Sequence, residues 1–209
     1  MTVDPEVGAG ARPEPTVLDP DLAEFAAQIA DHVESFLVAV NAVAREGDTG
    51  RAIPILLLEM AQISLTGARL GAQIDFRPKA DHQPDVGMES DVDDLRRALA
   101  EALGPVNAYS YVLDPYDPEV ATSLLSDDVA SIATDLENGL RHWRRGDVVE
   151  ALWWWQFSYV SSWGNLAGAA LNALWSVVHH ARLDVDDPVD AAAVAAADEI
   201  LVQPAEAAD

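Results

Sequence analysis

Between Ala151 and Ala181 the chain carries no Asp, Glu, Lys or Arg. So long a stretch without charge belongs either inside a folded domain or in a lipid bilayer. A bilayer span needs about 20 predominantly apolar residues. Here Gln156, Ser158, Ser161, Ser162, Asn165, Asn172 and Ser176 interrupt the run, three Trp bunch at one end, and Ala fills much of the rest. These features predict a buried core helix and no membrane association. The first residues, with Pro5, Pro13, Pro15, Gly8 and Gly10, lack the basic and apolar regions of a secretory signal. A soluble, cytoplasmic protein is the expectation.

The rest of the chain reads as further helices around that one. Asp19-Pro20 is a helix start, with Asp as N-cap and Pro at the first helical position. Leu22, Phe25, Ile29, Val33, Phe36, Val40 and Ala44 recur at three and four, so one stripe is buried. Gly47-Asp48-Thr49-Gly50 separates this helix from a second, about residues 52–74. That helix is apolar on most sides, with a thin polar strip of Glu59, Gln62, Thr66, Arg69 and Gln73. Residues 75–90 read as a loop. A short helix spans 91–103, with Asp91, Asp93 and Asp94 in its first turn, where negative charge suits the dipole. Gly104-Pro105 ends it, and an irregular stretch with Tyr109, Tyr111 and Asp114-Pro115-Tyr116-Asp117-Pro118 follows.

Ser126 is expected to cap a fourth helix, which ends basic at Arg141, Arg144 and Arg145 before Gly146. Asp147 and Glu150 form a capping-box-like start to a fifth. That helix reaches to about Arg182, roughly 50 Å if unbroken, with a kink expected near Gly164 or Gly168. No alternating Val-, Ile- or Thr-rich run is present, which predicts no sheet. The expected architecture is all-α: a single-domain antiparallel bundle of about five main helices over residues 19–183. A disordered arm over 1–18 and an acidic, Ala-rich tail over 184–209 flank it. Asp187-Pro188 starts one further short helix in that tail.

Missing motifs narrow the chemistry. With no cysteine there is no disulfide, thiol nucleophile, iron–sulfur cluster or thiolate zinc site. No phosphate-binding G-x-x-x-x-G-K-[ST] loop exists, and Lys79 is the only lysine. No G-x-S-x-G elbow, H-E-x-x-H, Glu-x-x-His or Glu-x-x-Glu pair is found. No catalytic residues, metal site or cofactor are therefore assigned.

Three constellations stand out. Asp128, Asp135 and His142 recur every seven residues along one flank of the fourth helix. Carboxylates beside a core are expensive unless paired, and Arg69 is a lone cation on an apolar helix. One reading is an interhelical ion pair of Arg69 with Asp128 or Asp135. The other is a polar pocket binding magnesium or an amine, with Glu59 or Asp75 as additional ligand. Second, Trp153, Trp154 and Trp155 point about 100° apart on a helix. With Trp163 they fill the core or offer an aromatic anchor to a partner. Third, Gly164-x-x-x-Gly168 makes a flat face that allows close helix approach, within the chain or in a homodimer.

The segment from Ser126 to Leu136, then Ala151-Leu152, Trp163-Gly164, Leu166 and Leu171-Asn-Ala-Leu174, resembles the bacterial family called domain of unknown function 5063. The resemblance extends over most of residues 22–183, and the Asp114-Pro115-Tyr116 loop fits its closer members. It implies a small, soluble helical protein, and relatives encoded beside DNA recombination and repair genes. It brings no activity, cofactor or catalytic residue.

Three functions follow as expectations. The first is a non-catalytic protein-interaction module. The second is a magnesium-dependent phosphate-ester hydrolase using Asp128, Asp135 and Glu59. The third is an acidic accessory of DNA recombination or repair. The formal net charge of -24 argues against direct nucleic-acid binding. Much of that charge lies in helix first turns, loops and tails. Only Glu59, Asp128 and Asp135 stand where apolar periodicity makes a charge surprising.

Overall fold

The computed structural model describes residues 18–78 and 92–183. The expected arm (save Leu18) and acidic tail lie outside the described residues, as do Asp91, most of the 75–90 loop and the Asp187-Pro188 helix start.

Helix α1 spans Pro20–Glu46, and Asp19 caps it by accepting from the Asp21 backbone N–H at 2.9 Å. Its periodic residues Ile29, Val33, Phe36 and Val40 are fully buried. Gly47 closes it in the left-handed conformation, φ 66°. Helix α2, Thr49–Gly71, runs back along α1 after a link of two residues. Gln28 faces Arg69 and His32 faces Thr66, so the pair is antiparallel. Among the described helices, α2 and not the 151–181 stretch has the length and apolarity of a membrane span. Its Leu56, Met60, Ile63 and Leu70 are buried in the bundle.

Helix α3 spans Asp93–Leu103, followed by a 3-10 turn over Gly104–Val106. Helix α4, Leu125–Arg144, packs on α3, α1 and the next helix. Helix α5, Val148–Ser158, leads without a break into a π-helical turn, Tyr159–Trp163, and then α6, Gly164–Leu183. The three form one rod. The irregularity expected near Gly164 is this π turn, where the Gly164 N–H bonds back to the Tyr159 carbonyl.

Two large indoles seat the rod. Trp155 is fully buried, lies against Gly139 of α4, and donates Nε1–H to the Leu136 carbonyl at 2.9 Å. Trp163 is also fully buried and donates to Ser158 Oγ at 3.1 Å. Tyr159 and Trp163 lie over Gly67 of α2, where no Cβ would fit. Gln156 secures the end of α2: its amide donates to the Leu70 carbonyl at 2.9 Å and accepts from the Phe76 N–H at 2.9 Å.

Three expectations fail. The stretch between α3 and α4 is not irregular throughout: strands β1, Ala108–Val112, and β2, Val120–Leu124, form an antiparallel hairpin. Ser126 is not a side-chain cap, because α4 starts one residue earlier and its end is satisfied from outside. Asn107 accepts from the Ser126 N–H at 2.9 Å and donates to Ser126 Oγ at 3.1 Å. Asp147 does precede α5, but its side chain makes no capping bond.

A methyl group at residue 139 would collide with the Trp155 indole. Gly139→Ala is expected to destabilise the fold by about 1–3 kcal/mol. A thermal melt unchanged from the native chain would remove the glycine–indole contact as a determinant of the α4–α5 packing.

Candidate functional site

The hairpin is fastened to α4 through one carboxylate. Tyr109 on β1 and Ser123 on β2 are cross-strand partners. Both reach Asp128 in the first turn of α4: Tyr109 Oη donates to Oδ2 at 2.6 Å and Ser123 Oγ donates to Oδ1 at 2.8 Å. Burial pushes the Asp128 carboxyl up from its ordinary value, and the two hydroxyl donors oppose that rise. The Tyr109 hydroxyl is pushed up as well, by burial first and then by the adjacent carboxylate. Asn107, bonded to the start of α4, holds the other end of the hairpin.

Held this way, β1 runs beside α6, and a cavity of about 530 Å³ opens between them. One wall is residues 110–113 with Pro115, and the floor is Gly164, Asn165, Gly168, Ala169 and Asn172. A Cβ at Gly168 would meet nothing within 4 Å, so the floor is open there. Gly164 differs: a Cβ would strike the Tyr159 carbonyl and ring. Gly164 thus serves the π turn, and the expected flat two-glycine face is open only at Gly168. Among the described residues only β2 pairs with β1. The outward N–H and C=O groups of β1 have no partner among the described residues.

The polar cluster expected from sequence does not converge. Arg69 is not paired with Asp128 or Asp135; it donates to Gln28 Oε1 at 2.7 Å and lies 5.3 Å from the Phe25 ring centroid. Asp135 accepts from Ser162 Oγ of the π turn at 2.9 Å. Burial raises its carboxyl, partly offset by that donor. Glu59 is buried on α2, also raised by burial, with no hydrogen-bond or ionic partner among the described residues. His142 is buried beside Trp154, with ring centroids 6.3 Å apart, and its Nδ1 has no hydrogen-bond partner among the described residues. Burial lowers its pKa; Asp147 and Glu150 pull the other way, and Arg145 adds to the lowering. Among the described residues no group of three or more His, Asp and Glu is placed to hold a metal ion.

The four tryptophans divide. Trp155 and Trp163 are fully buried and are core, not anchors. Trp153 and Trp154 are half-buried, and Trp153 stacks on Phe157 at 5.2 Å. The hairpin, the groove it makes and the Tyr109–Asp128 contact were all missed in the sequence. The available signal was the alternation of Tyr109, Ser110, Tyr111 and Val112 ahead of an Asp-Pro turn.

The family model described as Domain of unknown function (DUF5063) matches residues 20–180. The chain belongs to the DUF5063 family. The matched span takes in α1 to α5 and α6 as far as His180, in agreement with the resemblance read between Ser126 and Leu174. This DUF5063 fold is similar to the crystal structure of protein BF1032 from Bacteroides fragilis, with a TM-score of 0.57 and 18% identity. The likeness covers 76% of this chain and 92% of that one, and at this identity it speaks for the fold alone. No curated protein matches the sequence.

Two measurements probe the site. Tyr109→Phe and Asp128→Asn are each expected to cost about 1–2 kcal/mol of stability, and to cost less together than the sum of the two. Strict additivity in urea unfolding would break the clamp into unrelated contacts. His142 has a folded-state pKa below its ordinary 6.5. The unfolded chain therefore takes the proton first, and stability is lost as pH falls through that value. His142→Gln is expected to flatten the drop in urea midpoint between about pH 7.5 and 5.5. Parallel curves for the two proteins would show that this buried imidazole does not govern the drop.

Proposed function

We propose that this chain is a cytoplasmic, non-catalytic protein-interaction module, and that the groove between β1 and α6 is its binding face. One observation carries the reading. The groove exposes a strand edge, an open glycine floor and two carboxamides, Asn165 and Asn172, without hydrogen-bond partners among the described residues. Backbone and amide groups that the fold leaves unsatisfied, beside a surface without side-chain bulk, favour a protein ligand.

The alternatives have less support. In a magnesium hydrolase the carboxylates would face one cavity. Asp128 instead spends both oxygens on Tyr109 and Ser123, Asp135 accepts from Ser162, and Glu59 sits on a different helix. An acidic accessory that mimics nucleic acid needs unpaired acids in one stripe. The first-turn acids are instead paired, Asp93 and Asp127 with Arg96 and Asp94 with Arg97.

The chain has no cysteine, so a single introduced thiol can carry a photo-crosslinker without background. Attached through Gly168→Cys, it is expected to label one protein in native extract. Attached through Val38→Cys, on exposed α1 surface, it is expected not to. Equal labelling from both positions, or none from Gly168→Cys, would overturn the groove as the binding face.

A further inference from the structure

We infer that the groove accepts an extended, lysine- or arginine-bearing segment of a partner protein, added as a third strand along β1. The inference rests on the interaction reading above and specifies its ligand.

Strand addition needs a free edge. In an antiparallel pair alternate residues turn their N–H and C=O groups away from the partner strand. For β1 those groups face the groove, since residues 110–113 line it and no residue of β2 does. No hydrogen bond from α6 occupies them. An exposed strand edge is a template for another strand.

The floor suits a backbone more than a helix or a bulky side chain. Gly168 lets a chain approach closely. Asn165 and Asn172 lie seven residues apart on α6, about 10.5 Å along the axis. Three residues of extended chain cover about 10 Å. Both carboxamides therefore lie within the length of one added strand, and each is able to donate and accept.

Charge selects among occupants. Asp114 stands between the lining residues Leu113 and Pro115, Asp117 and Glu119 lie in the same hairpin loop, and no Lys or Arg lines the groove. Residues 184–209 hold eight Asp and Glu and no Lys or Arg, so this tail is repelled. A second copy of a chain with formal net charge -24 is disfavoured in the same way. A basic segment is attracted.

The test uses the full chain and fluorescein-labelled eight-residue peptides that alternate valine with lysine or threonine. Control peptides replace lysine with glutamate, or carry N-methyl groups on one or the other set of alternate amides. By fluorescence anisotropy at low salt, the lysine peptide is expected to saturate and to bind at least tenfold tighter than the glutamate peptide. One N-methylated set is expected to lose at least tenfold and the other to keep its affinity. Gly168→Leu is expected to lose at least tenfold without a lowered melting temperature, because its Cβ enters open space and leucine suits a helix better than glycine. Amide hydrogen exchange at residues 110–113 is expected to slow when the lysine peptide is bound. The inference is overturned if no peptide saturates, if both N-methylated sets bind like the parent, or if Gly168→Leu binds normally. It is also overturned if the chain dimerises and Gly168→Leu makes it monomeric, since the occupant is then a second copy. Labelling from Gly168→Cys in extract, with no peptide binding, would leave the interaction reading standing and remove strand addition alone.

Discussion

The bundle depends on indole rings meeting helices that lack side chains at the point of contact. A stretch without charge can be buried on all sides, but burial needs neighbours close enough to leave no void. Trp155 finds Gly139 on α4, and Trp163 with Tyr159 finds Gly67 on α2. The rod is thus gripped from two sides. The indole N–H groups do not go to waste in the dry interior: one bonds the Leu136 carbonyl and the other Ser158 Oγ. Helix α1 closes over α2 and α4, and α3 covers the remaining flank of α4.

From this core the site follows by short steps. The first turn of α4 presents Asp128, a carboxylate whose burial would be costly if bare. Tyr109 and Ser123 satisfy it from both strands of the hairpin, so what stabilises the carboxylate also orients the strands. Orientation of β1 fixes one wall of the groove, and the rod supplies the floor. A residue whose spacing suggested metal or ligand chemistry is therefore a positioning element for a surface several residues away.

Sequence and structure agree where a local rule suffices. Asp19-Pro20 starts α1 and Gly47 ends it, because a cap and a left-handed turn need no tertiary help. The buried stripe of α1 follows from its spacing alone. The heptad of Asp128, Asp135 and His142 shows where such reasoning stops. Periodicity places the three on one flank, but the neighbours change along the helix. They are the hairpin at Asp128, the π turn at Asp135 and Trp154 at His142. A shared flank is not a shared partner. Arg69 failed similarly, because a polar residue on an apolar helix does not say which neighbour it meets. The hairpin was hidden by its composition: the small residues Ala121 and Ser123 oppose the two tyrosines, and the tip is rich in Pro and Asp.

The π turn has a consequence for how such a surface arises and is lost. Relative to a regular helix, a π turn holds one surplus residue, and each residue advances the helix by about 100°. The turn between Ser158 and Gly164 is thus a phase shifter between the half of the rod that carries the buried indoles and the half that carries Gly168, Asn165 and Asn172. A relative lacking that single residue would turn α6 by about 100° and swing Ala167, Ala170 and Leu174 out of the core. The surplus residue thus sets two things at once, which side of α6 enters the core and which side meets the hairpin, and neither can change without the other.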